Sequence, residues 1–215
     1  MTETYHHGNL RNDLITEGLK LLCKNGIAAF SLRNLSKELG VSHAAAYRHF
    51  SSKEDLVRAI FIEFSARFRQ ALVSSVSPGA TDKEALMQLG VGYVRFFLAQ
   101  PELISLFTLI PSEGDLLSQI LSEACDSHDA MIEIGAHEDC TDIEDLPDES
   151  GFGFFRRLAL ALRNEACYRD LSDREILLGF WGKVHGIATI LITQKRFIPP
   201  ESLDATIERV VRTAF

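Results

Sequence analysis

From Leu10 onward the apolar positions recur at helical spacing. Leu10, Leu14, Ile15, Leu19, Leu21 and Leu22 fall near the i, i+4, i+7 and i+11 steps that line one face of a helix. Gly26, just past Lys24 and Asn25, supplies the stop. Ser31 can then N-cap a short helix carrying Leu32, Leu35 and Leu39, which Gly40 ends. Val41 follows in the turn and Ser42 caps a third helix, His43 to Phe50. Ser52 with Asp55 resembles a capping box in which Asp replaces the usual Glu or Gln, and opens a long helix through about Ser75.

Ser77, Pro78 and Gly79 interrupt that long helix and mark the candidate boundary between domains. The expected organisation is a head over residues 1–55, a connecting helix over 56–76 and a larger helical domain over 77–215. Thr81 with Glu84 caps a helix that ends before Pro101, and shorter segments follow to Pro111 and from about Glu113 to Gly135. The acidic stretch from about His137 to Asp148 reads as a loop. Periodicity returns from Ser150 to about Tyr168. Ser172 with Glu175 is a second capping box, for a helix to about Gln194, and after Pro199 and Pro200 a last helix spans Glu201 to Ala214. No strand alternation or internal repeat is visible, so the fold class is all-α.

Composition changes this picture only when divided along the chain. The net charge is -8, yet residues 1–60 hold eight Lys/Arg against six Asp/Glu, with histidines at 6, 7, 43 and 49. The remainder holds fourteen against twenty-four. Binding a polyanion needs a local positive face, because counterion release at the contacted phosphates drives it. An acidic remainder keeps the rest of the protein off the nucleic acid. No run of about 18 uncharged apolar residues argues for a membrane span, and the first residues lack an apolar signal region. Cys23, Cys125, Cys140 and Cys167 are scattered without CxxC spacing, as expected of free thiols in a cytoplasmic protein.

The three short helices have the proportions of a helix-turn-helix, in which one helix braces the next in the major groove. Leu39-Gly40-Val41-Ser42 is the turn, and Leu35, Leu39, Val41, Ala45 and Phe50 are placed to form its core. His43, Ala44 and Ala46 are then expected on or near the outward face, where small side chains admit the helix deeply and can meet thymine methyls. Tyr47, Arg48, His49 and Lys53 are donors suited to phosphate oxygens. Gly40-Val41-Ser42, Tyr47-Arg48-His49-Phe50 and Lys53-Glu54-Asp55-Leu56 resemble the DNA-binding signature of the TetR family, a likeness that covers about residues 8–60 and includes Gly26 and Ser31-Leu32-Arg33. The resemblance implies that Ser42, His43, Ala44 and Tyr47 sit in or beside the groove, and that Ser31, Arg33, Arg48, His49 and Lys53 hold the DNA backbone. Ala45 and Ala46 stand where the family often has Thr or Leu, which leaves the operator sequence open.

In the helix after Ser172, Gly179, Gly182 and Gly186 leave one face without side chains. Each glycine costs a soluble helix about 1 kcal/mol relative to alanine, so close approach of another helix is expected to offset it. That helix could belong to a second copy of the chain across a two-fold axis, with Leu203, Ile207, Val210 and Val211 of the last helix contributing, or to the same subunit. The segment Trp181-Gly182-Lys183-Val184-His185-Gly186 also resembles a Trp-His-Gly motif of one TetR subgroup. The family resemblance implies a ligand pocket, and Phe96, Phe97, Phe107, Phe152, Phe154, Phe155, Phe180 and Trp181 supply rings for it or for ordinary core. The expected wall is Phe107, Phe155 and Trp181, with His185 as a polar anchor or a satisfied core histidine. No Lys or Arg lies between Arg95 and Arg156, and Glu123, Asp126, His128, Asp129, Glu133 and His137 there fall at roughly helical steps before Cys140. They match no tight metal motif, and read as a solvated acidic face, a site for a cationic ligand or a divalent-metal site, in that order.

The leading expectation is therefore a homodimeric, cytoplasmic transcriptional repressor that leaves its double-stranded DNA operator when a small-molecule effector binds. The alternative is a DNA-binding structural or cell-division factor of the same fold, acting through a protein partner without an inducer. An enzyme is not expected, since GxSxG, HExxH, P-loop and GxGxxG are all missing, and no cofactor is implied.

Overall fold

The computed structural model describes residues 10–106 and 151–214, and every regular element within them is helical. Three helices make the head: α1 (Leu10–Ala29), α2 (Leu32–Glu38) and α3 (His43–Tyr47). The face of α1 that the periodicity marks is the one buried, from Leu10 and Leu14 through Leu22. At Gly26 the backbone takes φ 72°, ψ 168°, a conformation essentially confined to glycine. The helical path breaks there, and a last turn carries the chain to Ala29.

The tight turn of the head is a Schellman stop. Gly40 sits at φ 66°, its N–H donates to the Lys37 carbonyl (3.2 Å), and the Val41 N–H donates to the Ser36 carbonyl (3.0 Å). Ser42 then restarts the chain as an N-cap, its hydroxyl accepting from the Ala45 N–H at 3.2 Å. Helix α3 ends at Tyr47, earlier than the expected Phe50, because the chain turns there: both the His49 and Phe50 N–H groups donate to the Ala46 carbonyl. That turn drives Phe50 into the core at 2% exposure.

Helix α4 (Lys53–Ser74) is the shaft that joins head to body. Ser52 caps it as expected, but the Asp55 carboxylate closes on the Ser51 N–H (2.9 Å) rather than on Ser52, so the capping box is shifted by one residue. Its first half buries Leu56, Val57 and Ile60 beside α1, where Ile60 abuts Gly18. Its second half buries Phe64, Phe68 and Leu72 in the body. The Phe68 ring is the hub, with Phe64, Phe96, Phe97, Tyr93 and Phe152 centroids 5.3–6.0 Å away. Each such ring, fully buried, contributes about 1.5–3 kcal/mol from area alone, before edge-to-face terms.

The body adds α5 (Asp82–Ala99), a 3-10 turn at Pro101–Ser105, α6 (Gly151–Ala161), α7 (Asp173–Thr193), a second 3-10 turn at Pro200–Ser202 and α8 (Leu203–Ala214). Thr81/Glu84 and Ser172/Glu175 both form complete capping boxes, as their spacing predicts. Helix α6 ends at Ala161, short of the expected Tyr168, and a run of turns carries the chain on toward Ser172. The Pro101–Ser105 turn packs against α1, where the Ser105 hydroxyl reaches the Cys23 carbonyl at 3.5 Å, making a second joint between body and head.

The stripe on α8 needs correction. Ile207 and Val211 are 1% and 0% exposed within their own chain, so they face inward and cannot serve a partner subunit. Being four residues apart they share the buried face, which packs on α5 and α7, while Arg95 of α5 pairs with Asp204 (2.9 Å) and Glu208 (3.2 Å). Val210, turned away from that face, remains 42% exposed.

Candidate nucleic-acid interface and effector cavity

Helix α3 is divided by its own cap and core. Ala45, Ala46 and Phe50 are buried against the head, whereas Ser42, His43, Ala44, Tyr47, Arg48 and His49 are all exposed. Ala46 was expected on the outward face, yet its exposure is 0%. It lies one turn before Phe50, and the same carbonyl that closes the turn holds Ala46 against the core, so only Ala44 of the alanine run faces out. Tyr47 is 54% exposed, and the ring that packs is Phe50. The Arg11 guanidinium lies 5.3 Å from the Phe50 centroid, so an exposed cation of α1 covers the ring that closes the turn after α3. Sequence reasoning missed Arg11; nothing in local spacing links it to a ring 39 residues away.

The expected phosphate donors differ in how they are held. Arg33 and Arg48 are exposed, on α2 and at the C-cap of α3. The Ser31 hydroxyl accepts from the Asn34 N–H (3.2 Å) and so caps α2. Lys53 is half-buried, and its ammonium donates to the Ile27 carbonyl at 2.5 Å. That bond ties the start of α4 to the turn after Gly26. An ammonium has three N–H groups, so this tether orients Lys53 without using all of its donors.

The body holds a cavity of about 20 Å³ between α4, α5, α6 and α7, lined by Phe68, Leu89, Tyr93, Phe152, Phe155 and Trp181 among others. It has room for about one water molecule. Phe155 and Trp181 are among its lining residues, and Phe107 lies outside the described residues. His185 is not on the wall but beside it, its Nδ1 2.7 Å from the Tyr93 hydroxyl, to which the Trp181 indole N–H also donates at 3.4 Å. The tryptophan and histidine of the Trp-His-Gly segment therefore converge on one phenol. Burial raises the Tyr93 pKa and lowers that of His185, so both favour their neutral forms. Tyr93 is the site residue that the sequence hid, since its partners lie 88 and 92 positions on. The acidic and histidine positions from Glu123 to Cys140 lie outside the described residues; among the described ones no group of His, Cys, Asp and Glu could hold a metal.

One face of α7 is open. A Cβ built at Gly179, Gly182 or Gly186 meets nothing within 4 Å, so no described helix of the same subunit fills the stripe. Leu178 and Ile190 on the same helix are 67% and 49% exposed. By length and composition α7 could cross a membrane, with a mean hydropathy of 1.5 over its most apolar window. Phe180, Val184 and Ala188 instead pack into the body, and Lys183 at mid-helix is a charge that a bilayer centre disfavours.

Residues 14–60 match the family model described as bacterial regulatory proteins, tetR family. Across the whole chain the fold is shared with solved regulators at low identity. The fatty acid degradation regulator FadR from Bacillus halodurans aligns with a TM-score of 0.62 at 14% identity over 95% of this chain and 98% of that one. FadR from Bacillus subtilis, solved in complex with stearoyl-CoA, gives 0.60 at 14% over the same shares. A TetR-family regulator from Haemophilus influenzae gives 0.59 at 17% over 95% of each chain. No curated protein matches significantly. The head thus matches the tetR-family model, and the chain as a whole shares the fold of solved TetR-family regulators.

Proposed function

We propose that the chain is a homodimeric repressor that holds a palindromic operator through α3 and releases it when a small molecule enters the body. The observation that carries the DNA role is the division of α3 into a buried Ala45/Ala46/Phe50 face and an exposed face of Ser42, His43, Ala44, Tyr47 and Arg48. The exposed face pairs small, groove-compatible side chains with flanking donors. The open glycine stripe of α7, with Leu178 and Ile190 exposed on the same helix, supports a two-fold interface, and two heads related by such an axis read two inverted half-sites.

Two features support gating. Helix α4 packs in the head by one half and in the cavity wall by the other, and the Pro101–Ser105 turn rests on α1. An occupant of the cavity that favours one setting of these joints over another shifts the separation of the heads. The relative solved with stearoyl-CoA shows that this fold can hold a small-molecule ligand, which supports the same role here.

The test is selection of bound duplexes from a random pool, followed by titration of the selected duplex in the presence of a broad metabolite panel. The expected result is a palindrome whose affinity falls at least tenfold with one class of metabolite. Failure to enrich any sequence overturns the DNA role. Enrichment with an affinity indifferent to the whole panel overturns the gating and turns attention to a protein partner.

A further inference from the structure

Packing fixes which end of the body faces the head. The Pro101–Ser105 turn that follows α5 rests on α1, so the C-terminal end of α5 is the head-facing one. Helix α7 runs parallel to α5: Glu165, ahead of it, pairs with Lys83 at the start of α5 (3.4 Å), and His185 meets Tyr93 further along (2.7 Å). Helix α8 begins beside Arg95, through Asp204, and returns until the Arg212 charge acts on Glu84 at the start of α5. The connection between α7 and α8 therefore lies at the head-facing end of the body.

That connection is a tight turn. The Gln194 N–H donates to the Ile190 carbonyl (2.8 Å), and the Phe197 N–H donates to the Gln194 carbonyl (2.8 Å), which puts Lys195 and Arg196 at the tip. Pro199 and Pro200, each with a fixed φ, hold the exit. Both cations are exposed, and among the described residues neither side chain has an ion-pair or hydrogen-bond partner. Charge sets the turn apart from the body that carries it. From residue 61 on, acids outnumber Lys and Arg by twenty-four to fourteen, yet no Asp or Glu lies between Glu175 and Glu201.

The turn also extends far enough. Phe64 of α4 and Phe96 of α5 face each other with centroids 6.2 Å apart. At about 1.5 Å per helical residue, α4 begins about 16 Å headward of that level and the tip of the turn lies about 10 Å headward of it. The difference, about 6 Å, is close to the length of one extended Lys or Arg side chain. The cations thus reach the level at which α4 starts, where Lys53 is the expected phosphate donor.

We propose that the Lys195–Arg196 turn is a second DNA contact, directed at the phosphates between the two half-sites of the operator. This rests on the dimeric, operator-binding reading above, in which α7 lines the two-fold axis and brings one turn from each subunit over the centre of the site. Two cations on a turn, with no helix to enter a groove, neutralise phosphates and read no base. The contact adds affinity and salt dependence without sequence preference.

The test compares the intact wild type with the double variant Lys195→Gln/Arg196→Gln on two probes. One is the duplex that the wild type selects; the other is the same duplex with uncharged methylphosphonate linkages at its central steps. On the first, the slope of log K against log salt should be shallower in the variant by about 1.8, the value for one phosphate per subunit, with affinity about tenfold lower at low salt. Methylphosphonates should weaken the wild type by a similar factor and the variant by less than about twofold. Both proteins should select the same sequence. An unchanged slope overturns the proposal, and so does an equal methylphosphonate loss in the two proteins, which places the turn away from the spacer. A weaker dimer in the variant by sedimentation equilibrium replaces it with a subunit contact. Wild-type binding to phosphatidylglycerol vesicles that the variant loses, at unchanged duplex affinity, replaces it with a membrane contact. A wild type that selects no duplex removes the operator reading and the proposal together, whereas a selecting wild type matched by its variant removes the turn alone.

Discussion

Replacing Gly182 by alanine adds one methyl group to α7 at a point where the chain itself offers no obstacle. A Cβ there meets nothing within 4 Å, and the residue is exposed. In an isolated subunit the consequence is therefore helix propensity alone: alanine exceeds glycine by about 1 kcal/mol in a helix interior. That gain corresponds to roughly 2–4 °C in melting temperature for a chain of this size. In a two-fold dimer that meets through Gly179, Gly182 and Gly186, the methyl enters the contact once from each subunit. Overpacking of this kind costs about 1–3 kcal/mol, which at about 1.4 kcal/mol per decade is roughly a tenfold loss of dimer affinity or more. The two effects have opposite signs and separate by concentration. Sedimentation equilibrium measures the dimer constant, and thermal melts at concentrations well below it measure the subunit. An unchanged or tighter dimer in Gly182→Ala, alongside the higher subunit melting temperature, would refute the assignment of this face to the interface.

Further outcomes follow from the head and the cavity edge. Lys53→Ala should weaken binding to every DNA sequence about equally and reduce the slope of log K against log salt by about 0.9, the value for one phosphate; an unchanged slope leaves Lys53 only its bond to the Ile27 carbonyl. Ala46→Leu should cost about 1–3 kcal/mol of stability by denaturant unfolding, because the site has no exposed surface to accept the larger side chain; a loss under about 0.5 kcal/mol would return Ala46 to the outer face. Burial lowers the His185 pKa below 6.5, so its neutral form stabilises the fold above that pH and the contribution is lost as pH falls through the lowered value. Melting temperature should thus decline from pH 7 to pH 5, and less steeply in His185→Gln; parallel profiles would remove His185 as a cause.

What could be read in the chain was what local chemistry fixes. The N-caps at Ser31, Ser42, Ser52, Thr81 and Ser172 are each set by a hydroxyl and a backbone N–H three residues on, and all five occur. The Gly26 and Gly40 stops are equally local, because each needs a positive φ. Facing was harder. Ala46 and Ala44 are chemically identical and differ only in what the turn back to Phe50 does with the helix. On α8, Ile207, Val210 and Val211 form one apolar stripe in sequence, but only Ile207 and Val211, four residues apart, share the face that packs on α5 and α7. Long-range pairings were out of reach altogether: Trp181 and His185 drew notice, but their meeting point at Tyr93 depends on how α5 and α7 pack.

The central claim, that the outer face of α3 reads operator sequence in a symmetric dimer, is tested most directly by selecting DNA in parallel with the wild type and with Ala44→Asn. Alanine offers only a methyl contact, whereas asparagine favours adenine through paired hydrogen bonds in the major groove. The account predicts a palindrome from each protein, with the two sequences differing at one position in each half-site and matching elsewhere. Identical selected sequences from the two proteins, or a change in one half-site only, would contradict it.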